Sequence, residues 1–365
     1  MALRWREAMS TALYGPDGFF VSGPGPAAHF RTSVHASPVL ASCLLRLLSS
    51  LDAALGHPDH LDVVDVGAGR GELLRSLSVA AGSLVTAPVP LAQRVRLVAV
   101  EKAPRPADLP AEIEWVDEIP QGVTGLVVAT EWLDNVPLDV AVHTSTGWRY
   151  LLVDPVTGAE STGDPLTPED TAWLAHWWPT LSPAQLPSAS IKKFASAEAA
   201  HVDANLLING VGDRVEIGRA RDEAWEEAVS RVDRGLALAV DYGHLRDNRP
   251  VGGTLAGYRG GRQVAPVPDG SCDVTAHVAM DSVASAGERV ARCAYTLVSQ
   301  REALRALGAD GGRPPLSLAS RDPAGYVRAL AAASAVAELT DPAGLGGHWW
   351  LLQPVGVTVD PLMAR

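Results

Sequence analysis

Four short apolar runs stand out along the chain: LDVVDV at 61–66, RLVAV at 96–100, LVVAT at 126–130 and LALAVDYG at 236–243. Each is continuous rather than alternating and rich in branched residues, the pattern of strands buried on both faces of a parallel sheet. IEWVDEIP at 113–120 reads as a further strand and its exit. Helical patterns lie between some of these runs. GELLRSLSVAAG at 71–82 follows the first, and RDEAWEEAVSRVDRG at 221–235 precedes the last, with Trp225, Val229 and Val232 on one face and Gly235 as its stop. Strand–helix–strand alternation predicts a doubly wound α/β sheet. The stretch 155–220, rich in Pro, Ser and Thr and carrying WLAHWW at 173–178, predicts a helical insertion, because the sheet pattern resumes after it. The segment 244–272 is dense in Gly, Pro and Arg and predicts loops or hairpins.

Composition narrows the class. A chain of 365 residues is ample for a core without staples, and at ~150 residues per domain it suggests about two domains or one enlarged domain. Hydrophobic residues make up 47% and charged residues 20%, a globular balance. The formal charge of −12 disfavours nucleic acid, whose binding requires phosphate-neutralising cations. No run approaches the ~18 apolar residues of a membrane span, and the N-terminus lacks the apolar region of a secretory signal. The three cysteines, Cys43, Cys272 and Cys293, form no CxxC or Cys/His cluster. Reduced thiols, a cytoplasmic location and no metal centre are the expectation.

The strongest local signal is VVDVGAGRGELL at 63–74, in which a strand runs through Asp65 into Gly67, Gly69 and Gly71 and then into a helix. Glycines at such a turn let backbone approach a ligand beside a helix N-terminus. A dinucleotide loop would need glycine at 72, where this chain has Glu72, whose bulk and charge oppose a pyrophosphate. The D-x-G-x-G-x-G spacing suits S-adenosyl-L-methionine (SAM), a phosphate-free sulfonium cation. Glu101, ending the second strand, is placed to accept hydrogen bonds from ribose hydroxyls. Trp115 or Val116 is placed to pack near adenine and Asp117 to reach its amino group, although a core Trp and a solvated Asp read equally well there.

LVVATEWLDNVPLD at 126–139 sets Thr130, Glu131, Asp134 and Asp139 beyond a buried strand, where open α/β sheets bind ligands. A carboxylate pair there can grip a guanidinium and aim one nitrogen at a methyl donor. The competing roles are helix capping by Asp134 and solvation of Asp139. Asp241-Tyr242-Gly243 likewise ends a buried strand. In CDVTAH at 272–277, Asp273 reads either as a helix N-cap with His277 packed in the first turn, or with His277 as a catalytic or substrate-binding residue.

Together these motifs resemble the MidA-like family of SAM-dependent methyltransferases, nearly end to end. ALYGPDGFF at 12–20, HFRTSVHASPVLA at 29–41, the glycine loop, VVATEWLDNVPLDV at 127–140, AVDYGHLRDNRPVGGTLAGYRGGR at 239–262, CDVTAHVAMDSV at 272–283 and TLVSQREALRALG at 296–308 are similar to that family's blocks. The chain departs from them at His29, Ala36 and Thr130, where the family carries two acids and an asparagine. The family's mitochondrial relative, a respiratory complex I assembly factor, symmetrically dimethylates an arginine.

The resemblance implies a Rossmann-like class I methyltransferase with an N-terminal helical extension. The expected organisation is 1–60 as an extension bordering the cofactor, 61–154 as the first half of the core, 155–220 as the insertion and 221–365 as the second half with substrate-side loops. It implies cofactor contacts from Thr32, Ser33 and Ser37 as well as Gly67, Gly69 and Glu101, with Asp65, Gly71, Val116, Asp117 and Thr130 alongside. It implies an acceptor site of Glu131 and Asp134 closed by Asp241, Tyr242, Gly253, Thr254 and Tyr258, with His277 a further candidate. The expected reaction is methyl transfer from SAM, releasing S-adenosylhomocysteine. The acceptor is a protein arginine by resemblance; a small natural-product-like molecule, or a non-catalytic SAM-binding scaffold, are the alternatives.

Overall fold

The computed structural model describes residues 1–22, 38–81, 89–178, 212–309 and 311–359. Its centre is a seven-stranded sheet: β1 (Leu61–Val66), β2 (Val95–Val100), β3 (Ile113–Val116), β4 (Val123–Thr130), β5 (Val232–Asp241), β6 (Thr296–Ser299) and β7 (Trp349–Val355). The spatial order is β6-β7-β5-β4-β1-β2-β3. Strands β3, β2, β1, β4 and β5 pair in parallel, while β7 runs antiparallel to both β5 and β6. The four apolar runs and the 113–120 segment thus all lie in this sheet. All six residues of β1 are buried, as expected for a strand covered on both faces.

Two cores cover the sheet. Leu44, Leu48 and Leu51 of the helix Pro38–Ala54 pack on one face with Leu73 and Leu77 of the helix Glu72–Ala81. Trp225 and Val229 of the helix Arg219–Ser230 pack on the other with Val283 and Ala284 of the helix Met280–Ala291. A Cβ at Gly287 would lie 2.5 Å from Trp225 Nε1, so the missing side chain lets these two helices close on the indole. Trp225 is wholly buried, and burial of a large apolar side chain contributes about 3 kcal/mol.

Two expectations change. The helix before β5 stops at Ser230, so Val232 belongs to the strand and Gly235 is not a helix stop. Gly235 lies in β5 opposite Gly125 of β4, which itself pairs with Asp62 of β1. A Cβ at Gly235 would lie 1.9 Å from the Gly125 carbonyl oxygen, and one at Gly125 would lie 2.1 Å from that of Asp62. The glycines are there because three strands crowd at this level. The stretch 155–220 is not purely helical either. Its described part contains the strand Glu160–Pro165, the helix Pro168–Trp177 and the strand Arg214–Ile217. These strands join Leu3–Arg4, Asp139–Thr144 and Gly147–Val153 in a second, antiparallel sheet. The 244–272 segment does contain a hairpin, Ala256–Arg259 with Arg262–Val264.

Candidate functional site

The glycine loop follows β1 with Gly67, Gly69 and Gly71 all at positive φ, near +73°, +59° and +81°. Gly67 and Gly71 make room for side chains, since a Cβ would meet Trp132 at 2.9 Å and Leu109 at 2.6 Å. At Gly69 the nearest atom is Glu72 Oε2 at 3.2 Å, and the residue lines the main cavity. Its N–H donates to Glu101 Oε2 at 2.9 Å. Glu101 Oε1 accepts from the amides of Lys102 and Ala103 at 2.7 and 3.1 Å, so one carboxylate ties the loop to the end of β2. Burial raises the Glu101 pKa above the usual carboxylate range against these three bonds. Glu72 Oε2 accepts the Arg70 N–H at 2.9 Å, occupying an amide that a pyrophosphate would use. Asp65 is buried beneath the loop and its pKa is held well above the usual range by burial, with Glu72 and Glu101 adding to the effect.

The cavity, about 1120 Å³, opens at the carboxyl ends of the parallel strands. At one end lie Gly67, Gly69, Glu101 and Asp117, at the other Glu131, Asp134, Tyr242, Tyr258, Asp273, Thr275 and His277. Asp65, Gly71, Val116, Thr130, Asp241, Gly253 and Thr254 lie outside its lining. Thr32, Ser33 and Ser37, with His29 and Ala36, fall outside the described residues.

The acid loop after β4 is built by several distant segments. Glu131 adopts a left-handed φ of 51°, uncommon for a residue with a side chain, and its N–H donates to Val240 O at 2.8 Å. Asp134 sits in the 3-10 turn Leu133–Asn135 and caps no helix. Its Oδ2 accepts from the Tyr242 hydroxyl and from Thr275 Oγ1 at 2.6 Å. Its Oδ1 is buried without a hydrogen-bond partner among the described residues. Burial raises the Asp134 pKa, opposed by the bonds from Thr275 and Tyr242, by the Arg221 charge and by the Asn135 amide. Asp241 holds the turn from below: Oδ2 accepts from the amides of Leu133 and Asp134 at 2.9 and 3.2 Å, and Oδ1 from Tyr242 N at 2.9 Å. Burial, reinforced by Asp134 and Glu131, keeps the Asp241 pKa well above the ordinary range. Asp139 is elsewhere, paired with Arg4 in the second sheet.

Asp273 begins the strand Asp273–Thr275 and is not an N-cap; the following helix starts at Met280. Its Oδ1 accepts from Asn135 Nδ2 at 2.7 Å, and burial raises its pKa well above the usual range. His277 is exposed at the mouth of the cavity, edge-on to the Tyr242 ring with centroids 5.1 Å apart. Thr254 holds its backbone: Oγ1 donates to Glu216 Oε2 at 2.8 Å and accepts the backbone N–H of His277 at 2.8 Å.

Four contributors escaped the sequence reading. Tyr14 lines the cavity and donates to Asn135 O at 3.2 Å. Trp132 packs over Gly67. Arg221, 1% exposed, donates to the backbone oxygens of Asp134, Val136, Ala276 and His277, clamping the acid loop to the strand at 273–275. It stands four residues before Trp225, hence on the buried helix face, which was its available signal. His348 packs against Tyr242 with centroids 5.5 Å apart. Among the described residues, no cluster of His, Cys, Asp and Glu is arranged to hold a metal ion, and no helix is long and apolar enough to cross a membrane.

Comparison with known proteins matches this architecture. The chain is 26% identical over 359 residues to the mitochondrial protein arginine methyltransferase NDUFAF7 of Danio rerio, covering 87% of this chain and 75% of that protein. A crystal structure of a superfamily member from Burkholderia thailandensis bound to S-adenosyl-homocysteine superposes with a TM-score of 0.72 at 22% identity, covering 100% of this chain and 91% of the other. The native crystal form of a Burkholderia thailandensis protein of the same superfamily gives 0.70 at 22% identity, covering 100% and 90%. These likenesses bear out the class I Rossmann-like fold. The family described as "Putative S-adenosyl-L-methionine-dependent methyltransferase" matches residues 39–298. The match spans more than half of the sequence, and the chain belongs to this MidA-like family of SAM-dependent methyltransferases.

Proposed function

We propose that the protein N-methylates a cationic side chain, a protein arginine, with SAM as methyl donor. The observation that carries the acceptor is the wall of carboxylates that Glu131, Asp134 and Asp273 bring to one cavity. That wall calls for a cationic donor. A guanidinium supplies several N–H donors in a planar fork together with the charge to satisfy it. Tyr14, Tyr242 and Tyr258 add aromatic wall, which favours a flat cation. The cavity of about 1120 Å³ exceeds that of a usual single-ligand pocket, leaving room for donor and acceptor together. The arginine methyltransferase activity in the name of the Danio rerio relative supports the same acceptor.

The glycine-loop end suits the donor. Gly69 offers open backbone, Glu101 Oε2 keeps one lone pair for a ribose hydroxyl, and Asp117 stands at the adenine side. SAM supplies an electrophilic methyl group on a sulfonium. The chain's own task is to strip water from the acceptor nitrogen, hold it in line and take its proton. Glu131 and Asp134 do the gripping, while Asp241 and Arg221 keep the loop rigid, so the geometry is preorganised before the acceptor arrives.

Incubation with tritiated SAM and a cell lysate, followed by acid hydrolysis of the protein fraction, tests this. The expected label is in methylated arginine. Label confined to small metabolites would overturn the protein acceptor. No transfer to any fraction, with SAM bound, would leave a scaffold.

A further inference from the structure

His348 stands beside Glu131, just before the interior strand β7 and outside the cavity lining. Its backbone is pinned, the N–H donating to Leu345 O at 3.1 Å and the oxygen accepting from Gln300 N at 2.7 Å. The next residue, Trp349, pairs with Asp241, which brings the imidazole beside the end of β5. Its Nδ1 is buried, has no hydrogen-bond partner among the described residues, and lies 3.9 Å from Glu131 Oε1. The titratable groups around the ring are Glu131, Tyr242 and His277, with Asp134 bonded to the Tyr242 hydroxyl. Burial, with a smaller effect from His277, lowers the His348 pKa to about 4, so the ring is neutral near neutral pH. With its hydrogen on Nε2, the neutral ring turns an acceptor nitrogen toward the Glu131 carboxylate.

We propose that His348 is a positioning residue for proton release: its Nδ1 accepts a hydrogen bond from Glu131 once the Glu131 carboxylate has taken a proton from the methylated nitrogen. This rests on the acceptor-site reading of Glu131 given above. In the transfer, the acceptor nitrogen forms its bond to the methyl carbon, the carbon–sulfur bond breaks, and the electron pair stays on sulfur as a neutral thioether. The nitrogen must then shed one proton. Glu131 receives it, and the new O–H has a buried lone pair waiting at Nδ1. That bond stabilises the protonated carboxyl and so strengthens the carboxylate, by itself a weak base, for this task.

His348→Phe keeps the ring volume and removes the nitrogen, and His348→Asn restores a polar atom near the Nδ1 position. Both are assayed for methyl transfer from tritiated SAM to the protein fraction of a lysate across a pH series, with S-adenosylhomocysteine affinity measured by calorimetry. Transfer by His348→Phe is expected to fall roughly 10-fold near neutral pH and to recover as pH rises, less than the ~100-fold weight of a direct proton acceptor. Affinity for S-adenosylhomocysteine is expected to stay within about twofold, with His348→Asn regaining part of the rate. A wild-type rate and pH profile in His348→Phe overturns the inference, as does an equal loss in both variants with an unchanged pH profile, which is a packing role. Nitrogen NMR of the His348 ring supplies an arm that does not depend on the acceptor. A bare Nδ1 in the free protein is expected, and a protonated Nδ1 overturns the inference. If the wild-type protein labels no protein at all, the acceptor reading falls, while the ring's protonation still decides whether His348 is the acceptor for Glu131.

Discussion

The hydroxyl of Tyr242 donates to the carboxylate of Asp134, joining the end of β5 to the turn after β4 across 108 positions of sequence. Thr275 closes the same carboxylate oxygen from a third segment. The other oxygen is buried and makes no hydrogen bond to the described residues. A flexible surface Asp could turn either oxygen to solvent, but this one is held by two bonds from distant segments.

Glu131→Gln keeps the shape of the side chain and removes its charge. Loss of charge-assisted bonds to a guanidinium costs about 1.5–3 kcal/mol, or roughly 10- to 100-fold in kcat/KM. SAM affinity should change little. Turnover and SAM binding measured side by side check this, and wild-type turnover would sink the acceptor role of Glu131.

Asp134→Asn is expected to be as damaging as Glu131→Gln, because Asp134 caps no helix and lines the cavity with Glu131. The amide also offers only one oxygen, so either the Tyr242–Thr275 pair or the acceptor faces an NH2 group. Calorimetric melting separates the two effects: a drop of several degrees with normal turnover by the folded fraction would indicate a structural role instead.

Gly69→Val places a branched side chain at φ +59° on the cavity wall. The left-handed backbone strains it by about 1–2 kcal/mol, and its Cβ would lie 3.2 Å from Glu72 Oε2, crowding the glycine loop at the cavity. The expected result is loss of SAM binding in a protein that still folds. Titration of the unmutated protein should give a heat signal with SAM and none with NAD, since Glu72 holds the Arg70 amide. NAD binding without SAM binding would contradict the loop assignment.

Asp222 gives a pH dependence of stability. Its Oδ2 accepts from Trp173 Nε1 at 2.7 Å and Ser282 Oγ at 2.6 Å, and burial raises its pKa to about 7. The unfolded chain releases this proton in the ordinary carboxylate range, near ~4. Between those values the folded state binds more protons, so stability falls as pH rises from about 4 through about 7. Asp222→Asn, which keeps an accepting oxygen and cannot ionise, should flatten that part of the curve. Urea unfolding at a series of pH values reads it out, and an unchanged slope in Asp222→Asn would refute the assignment.

Local physics made the central sheet readable. A strand covered on both faces needs a continuous apolar run, and β1, β2, β4 and β5 each carry one. The glycine loop was equally readable, because positive φ is a demand on single residues and Gly67, Gly69 and Gly71 meet it where they stand. The second sheet was not. Glu160–Pro165 is almost wholly exposed and polar, and becomes a strand because Gly147–Val153 offers it a hydrogen-bonding edge. Gly235 could be recognised as a special position but not as a strand residue, since its reason is the Gly125 carbonyl of a neighbouring strand. The acids after β4 were visible as a cluster in the sequence. What aims them comes from Tyr14, Arg221, Tyr242, Thr275 and His348, segments that meet only in the folded chain. Position at a strand end could be read from pattern; which carboxylate oxygen is bonded and which is bare depends on partners a hundred residues away, and only the tertiary structure decides that.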